Sequence, residues 1–350
     1  MSEKSFDYWE FFAADARRNG APLYERFALG VGGDEKLIQF ANGVRSGQPP
    51  ANVLFAAVHY LLLRGAEHPL RRFYPNLNGG AHAADLDSAF PAFRDFVALY
   101  RDALAPLIRT RVTNTNEVGR SAVLHAGFRE LANVAGEPLH LIELGPSAGL
   151  NLIWDRYAVR YESESEAIFA GDENAPLVLK AALRGDKKPP AGRTPTVASR
   201  LGLERNPVDL SRQEERDWLK ALVWPDHIAR FANLERALQI CMAGPPPIRA
   251  GDALELLPEA LAAIPPAETA CVYHSFVTYQ FSDENRAALD DMLIAASLRR
   301  QVWRLSFEGT LSGDAPLLLY SYRDGVREKR LLALCQSHGA WMEWRNERDC

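Results

Sequence analysis

The residues best suited to chemistry fall in a few short runs. Glu143-Leu144-Gly145-Pro146-Ser147-Ala148-Gly149-Leu150-Asn151 reads as a strand end, a small-residue turn and the opening of a helix. Gly145 permits a tight turn, Gly149 lets the backbone approach a ligand closely, and a helix beginning there offers unpaired N–H groups. Tyr273-His274-Ser275-Phe276-Val277-Thr278-Tyr279-Gln280 ends a later strand. With an unperturbed pKa near neutrality His274 suits a general base, and Tyr279 joins it as a catalytic candidate; a buried, hydrogen-bonded histidine is the competing reading. Asn114-Thr115-Asn116-Glu117-Val118-Gly119-Arg120 precedes the first strand by one helix. Asn116, Glu117 and Arg120 are the substrate-binding candidates, Arg120 as a bidentate carboxylate clamp, unless they only cap the helix. Two further acids follow strands: Glu204 in Gly202-Leu203-Glu204-Arg205-Asn206-Pro207, and Asp252 in Gly251-Asp252-Ala253. A solvated acid and a helix N-cap are their plain alternatives.

The elements that must position these residues change character along the chain. Residues 1–135 read as helices only, an all-helical N-terminal lid or substrate domain, with the aromatic stripe of Phe6, Trp9 and Phe12 as core. Pro22 opens a helix, Asn52 to Arg64 is strongly apolar, and Ser88 is expected to cap a long helix carrying Phe93, Phe96, Tyr100 and Leu104. From 136 to 350 apolar runs alternate with helical segments, as in a mostly parallel sheet with helices on both faces. The strands expected are Leu139 to Leu144, Val197 to Leu203, Ile248-Arg249, Thr269 to His274, Gln301 to Phe307, and Trp341 to Trp344. Leu317 to Tyr322, Asp324-Gly325 and Val326 to Leu334 read as an antiparallel C-terminal hairpin. An insertion occupies 157–196, where Tyr157 to Tyr161 and Leu177 to Leu183 look like an added hairpin. Glu204 lies 61 positions after Glu143; without that insertion the second-strand acid is Glu162. Trp224-Pro225-Asp226-His227 reads as a helix break around a packed tryptophan.

Bulk properties narrow the partners. The chain has 350 residues, 47% hydrophobic and 24% charged, with a net charge of -5 and a pI near 6.0. An acidic balance disfavours nucleic acid as a partner and suits a small-molecule substrate. Cys241, Cys271, Cys335 and Cys350 form no CxxC pair, so no metal site is expected, and their scatter suits a reducing cytosol. The longest apolar run, Val53 to Leu63, falls short of the roughly 20 residues that span a bilayer. Glu3 and Asp7 sit where a secretory leader is apolar. A cytoplasmic protein without membrane contact is expected, its helical part serving as a lid or as a homodimer contact.

An acid at a strand end followed by G-x-[small]-x-G resembles the first motif of class I S-adenosylmethionine-dependent methyltransferases. That resemblance implies a Rossmann-like sheet with an antiparallel C-terminal hairpin. It implies that Glu143, Gly145, Pro146, Ser147, Gly149 and Asn151 cradle S-adenosylmethionine, with Glu204 on the ribose hydroxyls and Asp252 at the adenine. The runs Asn114 to Ser121, Glu143 to Tyr157, Asn206-Pro207-Val208-Asp209 and Leu222-Val223-Trp224-Pro225 together resemble a bacterial family known only as a domain of unknown function. That likeness spans nearly the whole chain and implies the same fold without a reaction. The expectation is a methyltransferase acting on a small molecule. A non-catalytic Rossmann-like module binding a metabolite or nucleotide is the alternative. An NAD(P)-dependent oxidoreductase fits less well, because the third glycine of G-x-G-x-x-G is missing.

Overall fold

The computed structural model describes residues 3–309 and 314–348, with side chains from Tyr8 to Glu347; Cys350 and the side chain of Phe6 lie outside what is described. The protein is mixed α/β and divides into two compact units, 1–115 with 210–235, and 116–209 with 236–350. The boundary thus falls ahead of the last helix assigned above to the N-terminal part, and a second segment, 210–235, joins the helical unit.

The helical unit contains α1 (Glu3–Arg18), α2 (Pro22–Gly32), α3 (Glu35–Ala41), α4 (Pro50–Leu63), α5 (Ala89–Leu99), α6 (Arg101–Thr110), α8 (Gln213–Ala221) and the first turns of α9 (Ile228–Ala243). Pro22 and Pro50 occupy first-turn positions, where the missing N–H costs nothing. Asp34 caps α3 by accepting from the Lys36 and Leu37 amides, a contact of about 1 kcal/mol. The long helix expected after Ser88 is two helices. The chain bends at Tyr100 (φ -100°, ψ 19°), and the Ser88 hydroxyl bonds to Asp85 rather than capping α5. α4 is apolar almost all round and nearly every side chain on it is buried, as befits the central helix of a bundle. Phe55 on α4 meets the rings of Trp9, Phe12, Tyr24, Phe27 and Phe93 at centroid distances from 4.9 to 6.0 Å. α8 belongs here because Trp218 Nε1 donates to the Val112 carbonyl (2.9 Å) and the Ala221 carbonyl meets His59 Nδ1 (3.1 Å).

The second unit is built on one sheet, 11-stranded among the described residues, in the order β3-β2-β4-β11-β10-β9-β8-β7-β1-β5-β6. The strands are β1 (Leu139–Leu144), β2 (Ala158–Glu162), β3 (Ala167–Ala170), β4 (Val178–Arg184), β5 (Val197–Glu204), β6 (Ile248–Ala250), β7 (Thr269–Ser275), β8 (Val302–Phe307), β9 (Asp314–Arg323), β10 (Val326–Gln336) and β11 (Trp341–Arg348). β6-β5-β1-β7-β8 run parallel, and β1 and β7 are buried on both faces, which is why they read as predominantly apolar runs. The β9–β10 hairpin turns at Asp324-Gly325, both with positive φ, and lies antiparallel beside β8. α7 (Arg120–Ala135), α10 (Ala253–Ala262) and α11 (Asp283–Ser297) complete the unit.

The insertion departs from expectation. β2 and β4 are parallel neighbours, not a hairpin. The tight turn comes earlier, at Ser163 to Glu166, where the Ser163 amide donates to the Glu166 carbonyl (2.9 Å) and folds β3 antiparallel onto β2. β4 then joins β11, so the insertion extends the sheet at the edge remote from β5. Glu162 therefore ends a strand far from β1, and the acid beside β1 is Glu204 on β5.

Truncating the ring at the centre of the bundle should be the most damaging single change in the helical unit. Phe55→Ala is expected to lower stability by about 3–5 kcal/mol, read as a shift in denaturant midpoint at constant slope. A loss under 1 kcal/mol would mean that the ring cluster is not the core.

Candidate functional site

β1 lies between β5, which follows it in the chain order of the parallel strands, and β7, which opens the other side of the sheet. In open α/β sheets the crevice beyond the carboxyl ends at such a reversal is where ligands bind. The loops that meet there follow β1 (145–151), β5 (204–206), β7 (276–280) and β8 (308–309), with 116–120 beside them.

The β1 loop is held by side chains rather than by a helix. The expected helix after Gly149 is absent: residues 147–153 are turns, followed by a single 3₁₀ turn at Trp154–Arg156. Its polar backbone groups find distant partners instead. Ser147 N–H donates to Glu204 Oε2 (2.9 Å) and Leu150 N–H to Asn116 Oδ1 (3.0 Å). The Leu150 carbonyl accepts from Tyr157 Oη (2.9 Å) and that of Asn151 from Tyr273 Oη (3.3 Å). Gly145, Ser147 and Gly149 all have left-handed φ, at 66°, 56° and 79°. A Cβ on Gly145 would lie 2.7 Å from the Val277 side chain, and one on Gly149 would lie 2.8 Å from Pro246. Pro146 packs where Gly202 leaves room, since a Cβ there would lie 2.6 Å from its ring. Asn151 is buried, accepting from Ser121 Oγ (2.7 Å).

Three carboxyl groups crowd this end of the sheet, and each is accommodated differently. Glu143 is buried with Tyr273 Oη donating to it at 3.0 Å. Burial pushes its carboxyl up to about 8, reinforced by the charge of Glu204 and only partly opposed by the Tyr273 hydroxyl and Arg120. Glu143 is therefore mostly a neutral acid at pH 7. Glu204 accepts one backbone amide on each oxygen, Ser147 on Oε2 and Asn206 on Oε1 (2.9 Å). Glu308, absent from the sequence candidates, is caged by the amides of Val277 (3.0 Å), Thr278 (3.2 Å) and Tyr279 (3.2 Å) and by His274 Nδ1 (2.5 Å). Burial works against its charge, but the His274 contact and the amides outweigh that and hold it below the ordinary carboxyl range.

These contacts correct the base assignment. His274 is fully buried; Arg304 Nε donates to its Nε2 at 2.9 Å and its Nδ1 faces Glu308. Burial and the Arg304 charge lower its pKa despite Glu308. A neutral ring donating from Nδ1 and accepting at Nε2 has no nitrogen left for a substrate proton, so His274 orients Glu308 instead. Tyr279 is 63% exposed and lies 6.4 Å from the Phe276 ring, beside the crevice. Phe276 itself holds φ 57°, so β1 and β7 are each followed by a non-glycine residue in the left-handed region, costing about 1–2 kcal/mol apiece. Strain of that kind concentrates at functional sites.

Asp252 follows β6, the strand beyond β5. It N-caps α10 through the Leu254 amide (2.9 Å) and pairs with Arg205 (2.5 Å), which is the plain helix-cap reading. Arg120 lies over the Phe276 ring (4.2 Å) and donates to the carbonyls of Ser275 (3.2 Å) and Ser337 (3.1 Å), tying α7 to the β7 loop. Glu117 accepts from the Gly119 amide (3.0 Å), and Asn116 serves the β1 loop as described. The signal that could have found Glu308 is its position: an acid followed by glycine directly after a buried strand, as Glu143 nearly precedes Gly145. Among the described residues, no group of three or more His, Cys, Asp or Glu is arranged to hold a metal ion. No helix among them is long and apolar enough to cross a membrane.

The state of Glu143 has a measurable consequence. Its folded pKa lies above the value of about 4.3 for an unfolded glutamate, so its contribution is fully present below pH 4 and is lost as pH rises toward 8. Glu143→Gln keeps the shape without the charge. Relative to the wild type it should gain stability between pH 5 and pH 9, by up to a few kcal/mol at about 1.4 per pH unit. Parallel stability profiles for the two proteins would contradict a neutral Glu143.

Comparison with curated proteins gave no match. Comparison with protein families gave a match over residues 7–344, which covers both units described above. The chain belongs to the family described as an uncharacterized protein conserved in bacteria, DUF2332.

Proposed function

We propose that the chain binds S-adenosylmethionine in the crevice between β1 and β7 and transfers its methyl group to a small molecule. The observation that carries this reading is the tether between Glu204 and Ser147: an acid ending the strand next to β1 reaches back to a glycine loop with three left-handed residues. The parallel order β6-β5-β1-β7-β8, followed by an antiparallel hairpin, supports a Rossmann-like sheet of the class I methyltransferase kind.

The residues fit the cofactor in part. A carboxylate has about four lone-pair sites, and Glu204 uses one on each oxygen for backbone amides, leaving capacity for two vicinal ribose hydroxyls. The turn from Gly145 to Gly149 would take the amino-acid part, and a neutral Glu143 beneath it adds no repulsion toward a carboxylate. Asp252 likewise spends one contact on each oxygen, on the Leu254 amide and on Arg205, and would keep capacity toward the adenine. The cofactor would supply an electrophilic methyl on a sulfonium centre. The chain's own contribution is orientation of the acceptor, with Tyr279 and the ring of Phe276 at the rim of the crevice.

A second reading is a non-catalytic binding module. The engagement of both His274 nitrogens favours it, because the nearest conventional base is committed to Glu308 and Arg304. Isothermal titration with S-adenosylmethionine and S-adenosylhomocysteine, against an NAD control, tests both readings. Micromolar binding of both sulfur compounds, weakened at least tenfold by Gly145→Val, is expected; a matched melting curve would show that the variant is folded. Binding with no turnover across an acceptor screen would favour the binding module. Failure of both sulfur compounds to bind would refute the cofactor assignment, and NAD binding alone would move the reading to an oxidoreductase.

A further inference from the structure

A second constellation lies at the opposite, amino end of the same parallel strands. His140 is the second residue of β1. A register shift between Leu139 and His140 leaves Ala198 as an extra residue in β5 and sets Ser199 directly opposite His140. Bulges of this kind re-aim a side chain, and they recur beside active sites. On the other side of β1, Thr269 opens β7 opposite Leu139, so Glu268 stands one step ahead of that ladder.

The three side chains meet in a row across β5, β1 and β7. Ser199 Oγ stands 2.7 Å from His140 Nδ1, and His140 Nε2 touches Glu268 Oε2 and meets no other acceptor. His140 is buried, Glu268 is half-buried and Ser199 is exposed, so the hydroxyl end of the row opens to solvent. The acid is held through its backbone. Arg300 donates to the Ile264 carbonyl (2.8 Å) and to the Glu268 carbonyl, and the Glu268 amide closes a turn on Pro265 (3.0 Å). A carboxylate at one ring nitrogen keeps the proton on Nε2 and leaves Nδ1 to accept from the hydroxyl. In this order an acid orients a base and the base activates a weak nucleophile. A polar tie between three strands would need complementary groups but no accessible hydroxyl.

The strand beside Ser199 is open as well. β6 pairs with β5 only from Gly202 onward, so among the described residues Val197 to Leu201 have β1 as their one strand neighbour. The Gly202 N–H points away from β1, donating to the Pro247 carbonyl (2.9 Å). By the period of two along a strand, the Arg200 N–H points to the same side. The N–H of the residue after a nucleophile is a common donor to the oxyanion of acyl transfer.

We propose that Ser199, His140 and Glu268 form a second site, which hydrolyses short-chain carboxylic esters. Ser199 Oγ attacks the ester carbonyl carbon as its proton passes to His140 Nδ1. The bond to the leaving alcohol breaks, and the alcohol oxygen takes that proton. Water then attacks the acyl-serine, giving a proton to His140; the carboxylic acid leaves and the proton returns to Ser199. Short acyl groups suit an exposed hydroxyl, since they need no long apolar pocket. Ser199 and His140 are the catalytic residues, and Glu268 is a positioning residue. The site shares no residue with the crevice, and neither depends on the other.

The test uses the full chain, a fluorophosphonate probe and p-nitrophenyl acetate. One probe per chain, located on Ser199 by peptide mass spectrometry, is expected, with ester turnover that the same labelling abolishes. Ser199→Ala changes an exposed residue and should keep the melting temperature while losing both signals. Glu268→Gln should slow labelling about tenfold without loss of melting temperature, and Glu268→Asp should recover part of that rate; His140→Gln should slow it about a hundredfold or more. Should buried His140 not tolerate the change, the two Glu268 variants decide. Absence of labelling, labelling that survives in Ser199→Ala, or equal rates in wild type and Glu268→Gln would overturn the proposal.

Discussion

The sheet unit is governed by one constraint: acids placed at the carboxyl ends of its central strands must be buried without leaving a bare charge. Removing a carboxylate from water is costly unless it is neutralised or hydrogen-bonded. Glu143 meets the constraint by holding its proton, Glu204 by accepting the amides of Ser147 and Asn206, and Glu308 by accepting three successive amides beside His274. Each solution fixes a loop. Glu204 clamps the β1 loop to the end of β5, Glu308 winds the β7 loop around itself, and Tyr273 joins Glu143 to the Asn151 carbonyl.

The same accounting explains why a loop with the sequence of a strand–turn–helix junction opens no helix. A helix would satisfy the backbone of 147–151 locally. Here local turns satisfy part of it, Asn116, Glu204 and Tyr273 contribute from remote parts of the chain and Tyr157 from seven positions on, and the strained φ of Ser147 persists because these contacts over-determine it. None of those partners is adjacent in sequence, so no local pattern announces them. His274 is a parallel case. Its place at the end of β7 was legible, but Arg304 on β8 and Glu308 beyond it, which fix its protonation, come 30 or more positions later.

Much of the frame was readable from residues alone. Leu139 to Leu144 and Thr269 to His274 are buried on both faces and therefore mostly apolar, and Asp324-Gly325 marks its hairpin by the backbone it needs. The cap at Asp252 was visible in the sequence, and the structure shows it. What could not be read is pairing over long separations. β4 finds β11 across more than 150 residues, and its parallel pairing with β2 depends on where Ser163 turns the chain. The allegiance of α8 to the helical unit likewise rests on Trp218 and Ala221 meeting residues over 100 positions away.

The proposed function puts the ligand site beyond β1 and β7, with Glu204 as its anchoring acid. A crystal structure of the protein grown with S-adenosylhomocysteine is the decisive test. Ligand density is expected over Gly145 to Gly149, with both ribose hydroxyls on Glu204 and the amide bonds of Ser147 and Asn206 to that carboxylate kept. Density elsewhere, or a β1 loop that must release Glu204 to admit the ligand, would contradict it.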